Sequence, residues 1–155
     1  MDVGLLLLRL FFGLAMASHG AQKLFGWFGG FGIKGTGAGF AKLGYQPGEL
    51  FALIAGLSEF VGGLLLALGL LVPLGAAMVM GVMLNAIIVT GKGGFYMAIE
   101  KPMLYWAAAL ALAFTGPGRY SLDHKRPWGR SGVSWGLAAL ALSIIAALIT
   151  LLIRK

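Results

Sequence analysis

Residues 50–72 read LFALIAGLSEFVGGLLLALGLLV. This run is long enough to cross a bilayer, which takes about 20 apolar residues. Its one ionisable side chain, Glu59, lies close to its middle. A carboxylate at that depth costs several kcal/mol unless it is protonated, paired or facing water. The rest of the chain must therefore supply a partner for Glu59 or put the cost to use.

Composition places the whole chain in the same setting. Of its 155 residues, 59% are hydrophobic and 11% charged, against the roughly 25% charged residues of a soluble domain. The expected fold class is an all-α membrane protein. It comprises a four-helix transmembrane bundle plus a fifth C-terminal transmembrane helix, with spans at 3–24, 50–72, 74–90, 100–115 and 133–153. There is no cysteine, which excludes a thiol nucleophile, a disulfide, a thiolate-ligated iron–sulfur cluster and a four-cysteine zinc site. The net charge of +7 lies in loops and at span ends. There it reads as topology signal and contact with anionic lipid, not as nucleic-acid binding. Asp2 stands where a signal peptide would carry a basic region, so a cleaved leader is not expected.

Outward from residues 50–72, the first span carries Arg9 inside it and His19, Gln22 and Lys23 near its far end. At about 100° per residue, Arg9, Met16 and Lys23 fall on nearly one line, with His19 about 80° away. Gly13 and Ala17 form a small-residue strip for close helix contact, as do Gly56 and Gly63 beside Glu59. Residues 25–49, FGWFGGFGIKGTGAGFAKLGYQPGE, hold a formal G-x-G-x-x-G at Gly30, Gly32 and Gly35. No strand precedes it, so a dinucleotide site is rejected. The aromatics Trp27, Phe28, Phe31, Phe40 and Tyr45 suit the headgroup zone, with a short interfacial helix over 36–43. Pro73 starts the third span after almost no loop. Ala77, Gly81 and Asn85 share one face of that span, and Ala139, Ser143 and Ala147 form a stripe on the uncharged last one.

Helix rise, about 1.5 Å per residue, converts sequence into depth. With the N-terminal side called A and the other B, Arg9 lies roughly 9 Å in from A and His19 roughly 8 Å in from B. Glu59 and Asn85 both lie about 16 Å from A in a core about 30 Å thick. Three readings follow. Arg9 and Glu59 form a structural ion pair; or Arg9, His19, Lys23, Glu59 and Asn85 line a pocket for a small polar or quinone-like ligand; or the cluster is a proton pathway. A haem is not expected, because His19 lies near B and His124, the other histidine, lies in the loop on A. No catalytic residue and no metal ligand is assigned.

Three segments, LLLLRLFFGLAMASHGAQKLFG, SEFVGGLLLALGLLVPLGA and GPGRYSLD, together resemble the DoxX family of small prokaryotic membrane proteins. The resemblance covers about residues 5–123. It divides the chain into a four-helix bundle, 1–123, and a loop with an additional helix, 124–155. It implies a four-helix bundle in the prokaryotic plasma membrane, linked to quinone-coupled sulfur-compound oxidation and redox-stress responses. It also implies a shared polar site at Arg9, His19, Lys23 and Glu59. The expected role is a membrane subunit of a redox system, at most a non-catalytic or quinone-interacting subunit of an oxidoreductase. Such a subunit would dock a soluble oxidoreductase or sulfur-transfer partner, bind no cofactor of its own beyond a quinone, and form a homo-oligomer in the lipid bilayer. The alternatives are an oligomeric small-molecule binder or transporter, and a purely structural scaffold.

Overall fold

The computed structural model describes residues 1–154, and they are helical throughout their ordered elements, without strands. Six helices follow in order: α1 (Asp2–Phe25), α2 (Gly32–Lys42), α3 (Gly48–Leu68), α4 (Val72–Thr90), α5 (Glu100–Thr115) and α6 (Val133–Ile153). Five of them, all but α2, belong to segments long and apolar enough to cross a membrane. The sequence places the same five.

Small residues set the packing. α1 and α3 run antiparallel with their backbones in contact. A Cβ added at Gly63 would lie 2.5 Å from both the Ala17 nitrogen and the Gly13 oxygen, and one at Gly20 would strike the Phe60 backbone. Only glycine permits that approach. α4 crosses α3 at a second glycine pair, Gly62 and Gly75, and packs on α5 and α6 as well. α6 buries Gly136, Ala139, Ser143 and Ala147, the stripe read from its sequence. Phe12, Met16, Leu66, Val79, Met80 and Leu112 fill the centre of the bundle.

Two span boundaries differ from the sequence reading by more than two residues. α3 stops at Leu68, four residues short of the expected end. Gly69 adopts a left-handed conformation (φ 67°), and the Leu70 N–H closes back on the Leu65 carbonyl, a glycine stop hidden inside an unbroken apolar run. The fourth crossing is longer than expected. A π-helical turn over Phe95–Ile99 precedes α5, so the helical segment runs Phe95–Thr115. Pro102 has no N–H to return to the Ala98 carbonyl, which faces the Thr90 hydroxyl instead.

The first loop folds over the bundle. α2 begins at Gly32, four residues earlier than expected, and packs its Gly37 against the start of α3, where an added Cβ would lie 2.8 Å from the Glu49 nitrogen. The chain ends sit at opposite ends of the bundle. Asp2 accepts a hydrogen bond from the Arg119 backbone on side A, whereas Arg154 donates to the Leu43 carbonyl on side B.

Candidate functional site

Glu59 is 2% exposed. Its Oε2 accepts a hydrogen bond from Lys23 Nζ at 2.6 Å, the one ion pair among the described residues. The expected Arg9–Glu59 pair does not form. The glycine contacts set the register, with Gly13 opposite Gly63 and Gly20 opposite Gly56 and Phe60. With Gly63 midway between Gly13 and Ala17 and Gly20 midway between Gly56 and Phe60, that register puts Glu59 level with His19 and leaves Arg9 about 15 Å farther toward side A. Direction matters as much as depth. Helical side chains lean toward their own N-terminus, and α1 runs from A to B. Lys23 therefore leans inward onto Glu59, and Arg9 leans away from it.

Arg9 has its own site. It is 1% exposed, and its Nη2 donates to the Tyr120 carbonyl. Asp123, 3% exposed, is the opposing charge there. The loop that carries Asp123 is held on the α3–α4 turn, the Asp123 N–H donating to the Gly69 carbonyl at 3.0 Å and Leu122 to Leu68 at 3.1 Å. A side chain at Gly69 would occupy the place of the Arg9 guanidinium. Arg9 thus ties α1 to the loop on side A.

His19 turns toward α5. Its Nδ1 lies 3.0 Å from Gln22 Oε1, and its Nε2 lies 3.4 Å from the Tyr105 hydroxyl. It lies near Glu59. Asn85 Oδ1 accepts from the Tyr45 hydroxyl at 2.8 Å and lies 3.1 Å from the Thr150 hydroxyl, and its Nδ2 donates to the Gly81 carbonyl at 3.0 Å. No hydrogen bond joins Asn85 to Glu59.

What connects them is a cavity of about 430 Å³, lined by Lys23, residues of α2 to α4, and Leu142, Ala146 and Thr150 of α6. Its walls are largely apolar, with Phe51, Ile54, Met78, Val82 and Leu142 among them. Most polar groups sit in two clusters, Lys23 with Glu59 and Ser58, and Tyr45 with Asn85 and Thr150, and Thr90 lines the cavity apart from both. Of the five residues singled out in the sequence, Lys23, Glu59 and Asn85 line this space. His19 and Arg9 are not among the residues that line it. Tyr45 and Thr150 were missed, Tyr45 because loop aromatics read as headgroup residues and Thr150 because a lone threonine in an uncharged span gives no signal. Burial pushes the Tyr45 phenol above the usual tyrosine range, and Arg154, 5.9 Å from its ring, pulls it part of the way back.

Five crossings around a buried carboxylate paired with Lys23 and a half-open, largely apolar cavity define a multi-pass, all-α membrane protein with an intramembrane polar site. The DoxX family model matches residues 4–92, α1 through α4 and therefore both clusters except Thr150. The chain is 31% identical over 135 residues to an uncharacterized membrane protein of Mycobacterium tuberculosis, an alignment covering 76% of this chain and 78% of the relative. This chain belongs to the DoxX family. No solved structure matches it.

Proposed function

We propose that the chain is a membrane subunit of a redox system, holding a lipophilic quinone-like ligand in the cavity and docking a soluble oxidoreductase. The observation that carries this reading is the cavity: apolar walls between two separate polar clusters. A quinone is an apolar ring and tail with carbonyl oxygens on opposite sides. The residues present fit that chemistry. Lys23 Nζ donates one of its three hydrogens to Glu59 and keeps two, and Asn85 keeps an amide hydrogen at the other cluster. Ile54, Met78 and Leu142 would flank the ring. A bound quinone supplies two-electron redox capacity. The chain's own part is to orient it, to shield it within the bundle, and to hold a proton between Lys23 Nζ and Glu59 Oε2. With no cysteine in the chain, electrons would arrive on a cofactor of the docked partner.

The test is mass spectrometry of small molecules and proteins retained after mild purification, on wild type and on Glu59→Gln. A quinone and an oxidoreductase retained by wild type, with the quinone lost from the variant, support the reading. The same cavity also suits the alternative of an oligomeric small-molecule binder. Retention of a non-redox lipophile without any oxidoreductase would favour that role and reject the redox one.

A further inference from the structure

The second polar cluster has a direction. The Gly81 carbonyl can only accept, so the Asn85 amide must turn its Nδ2 toward it, at 3.0 Å. Oδ1 then faces Tyr45 and Thr150, and hydroxyls in that position act as donors. The two lone pairs of Oδ1 can take two donors. The acceptor side of Asn85 is engaged by Tyr45 and, when its hydrogen turns that way, by Thr150, and one N–H remains on a side chain that lines the cavity. Tyr45 is the firmer of the two anchors. Its hydroxyl hydrogen goes to Asn85 alone, whereas the single Thr150 hydrogen is shared among Asn85 and the carbonyls of Ala146 and Ala147. Thr150 nonetheless comes from α6, beyond the residues that the family model matches.

We propose that Asn85 is the ligand-selecting donor of this cavity, and that Tyr45 and Thr150 are positioning residues that hold its free N–H toward a carbonyl-type acceptor oxygen on an apolar ligand. The inference rests on the reading of the cavity as a ligand site and deepens it. It also gives α6 a role in selection as well as in closing the cavity wall. A ligand without an acceptor oxygen leaves the amide hydrogen unsatisfied against apolar walls, a loss that translates into about tenfold in affinity.

The experiment compares three probes on protein in lipid nanodiscs by native mass spectrometry: decyl phenyl ketone, the matching alkylbenzene, and decylbenzoquinone. Wild type is expected to bind the ketone about tenfold more tightly than the alkylbenzene. Tyr45→Phe should reduce that preference more than Thr150→Val does. Asn85→Leu frees the Tyr45 hydroxyl to donate in its place, so the double variant Asn85→Leu, Tyr45→Phe should bind ketone and alkylbenzene alike. Alkylbenzene affinity should hold steady across the series, which separates selection from damage to the fold. Ala146→Trp, which fills the cavity, should abolish binding of all three. Equal binding of ketone and alkylbenzene by wild type, with Ala146→Trp still blocking decylbenzoquinone, would overturn the donor assignment and leave the cavity reading standing. Ketone preference without quinone binding would reject the quinone and keep the donor. If no probe binds wild type, both ideas fail.

Discussion

Replacing Lys23 by methionine should destabilise the protein far more than replacing Glu59 by glutamine, although the two side chains share one ion pair. The reason is unequal burial. The side chain of Glu59 is 3% exposed and that of Lys23 is 23% exposed. In Lys23→Met the carboxylate stays in the bundle with its hydrogen-bonding partner gone, and breaking a buried pair in this way costs about 3–5 kcal/mol. Uptake of a proton by Glu59 caps the loss toward the lower figure. In Glu59→Gln the lysine keeps a route out, because its stem can extend toward side B and carry the ammonium to the headgroup zone. The expected loss there is about 1 kcal/mol, that of one hydrogen bond. The double variant should lie near Glu59→Gln, which gives a coupling of roughly 3–5 kcal/mol between the two positions, toward the lower figure when Glu59 takes up a proton. The same cycle run on Arg9 and Glu59 should show coupling below about 0.5 kcal/mol, since residues that far apart behave additively. Reversible unfolding in mixed micelles measures all of these terms. An Arg9–Glu59 coupling larger than that of Lys23–Glu59 would refute the register and restore the pairing that helix depth alone suggests.

Three further outcomes follow from the packing and the loop contacts. Gly63→Val should cost about 1–3 kcal/mol through forced separation of α1 and α3, whereas Gly4→Val, with nothing within 4 Å of an added Cβ, should leave α1–α3 packing unchanged; unfolding midpoints and cross-linking of single cysteines placed in this cysteine-free chain read both. Arg9→Met should loosen the 116–123 loop by removing the Nη2 bond to the Tyr120 carbonyl, at about 1–3 kcal/mol for the buried acceptor left without it; faster hydrogen exchange at Leu122 and Asp123 is the local readout, and unchanged exchange in Arg9→Met would contradict the assignment. Tyr45 contributes stability at pH values below the ordinary tyrosine pKa of about 10, and loses it as pH rises toward the higher folded value, because the unfolded phenol ionises first; Tyr45→Phe should remove that part of the alkaline decline, and an identical alkaline profile in both proteins would argue against the buried phenol.

Much of the architecture is legible without coordinates. Five apolar runs, each long enough to span, can hardly be read otherwise, because backbone polar groups in lipid must be satisfied within a helix. The Gly13–Ala17 and Gly56–Gly63 strips announce a close α1–α3 crossing, and Ala139, Ser143 and Ala147 announce the buried face of α6. Glu59 stands out by its cost alone. Lys23 and Asn85 are also within reach of sequence reasoning, since a charge or an amide inside a span needs a reason to be there.

What the sequence leaves open is which polar group meets which. Depth estimates count residues from guessed span ends, and a shift of a few residues moves a side chain by a helical turn. They also ignore the lean of side chains toward the helix N-terminus, which turns Lys23 inward and Arg9 outward. Only the glycine-to-glycine contact of α1 and α3 fixes the register that pairs Glu59 with Lys23. Only the folding of the 116–123 loop over the α3–α4 turn brings Asp123 and the Tyr120 carbonyl to Arg9, more than 100 residues along the chain. Tyr45 and Thr150 show the same limit. One lies in a glycine-rich loop and the other in an uncharged span, and each acquires its role through a hydrogen bond to Asn85 that tertiary packing alone creates. The number of crossings, their buried faces and the presence of a costly carboxylate follow from local pattern and the bilayer's chemistry. The tertiary structure decided the partners and the cavity, because both depend on the relative register of helices that carry no record of one another.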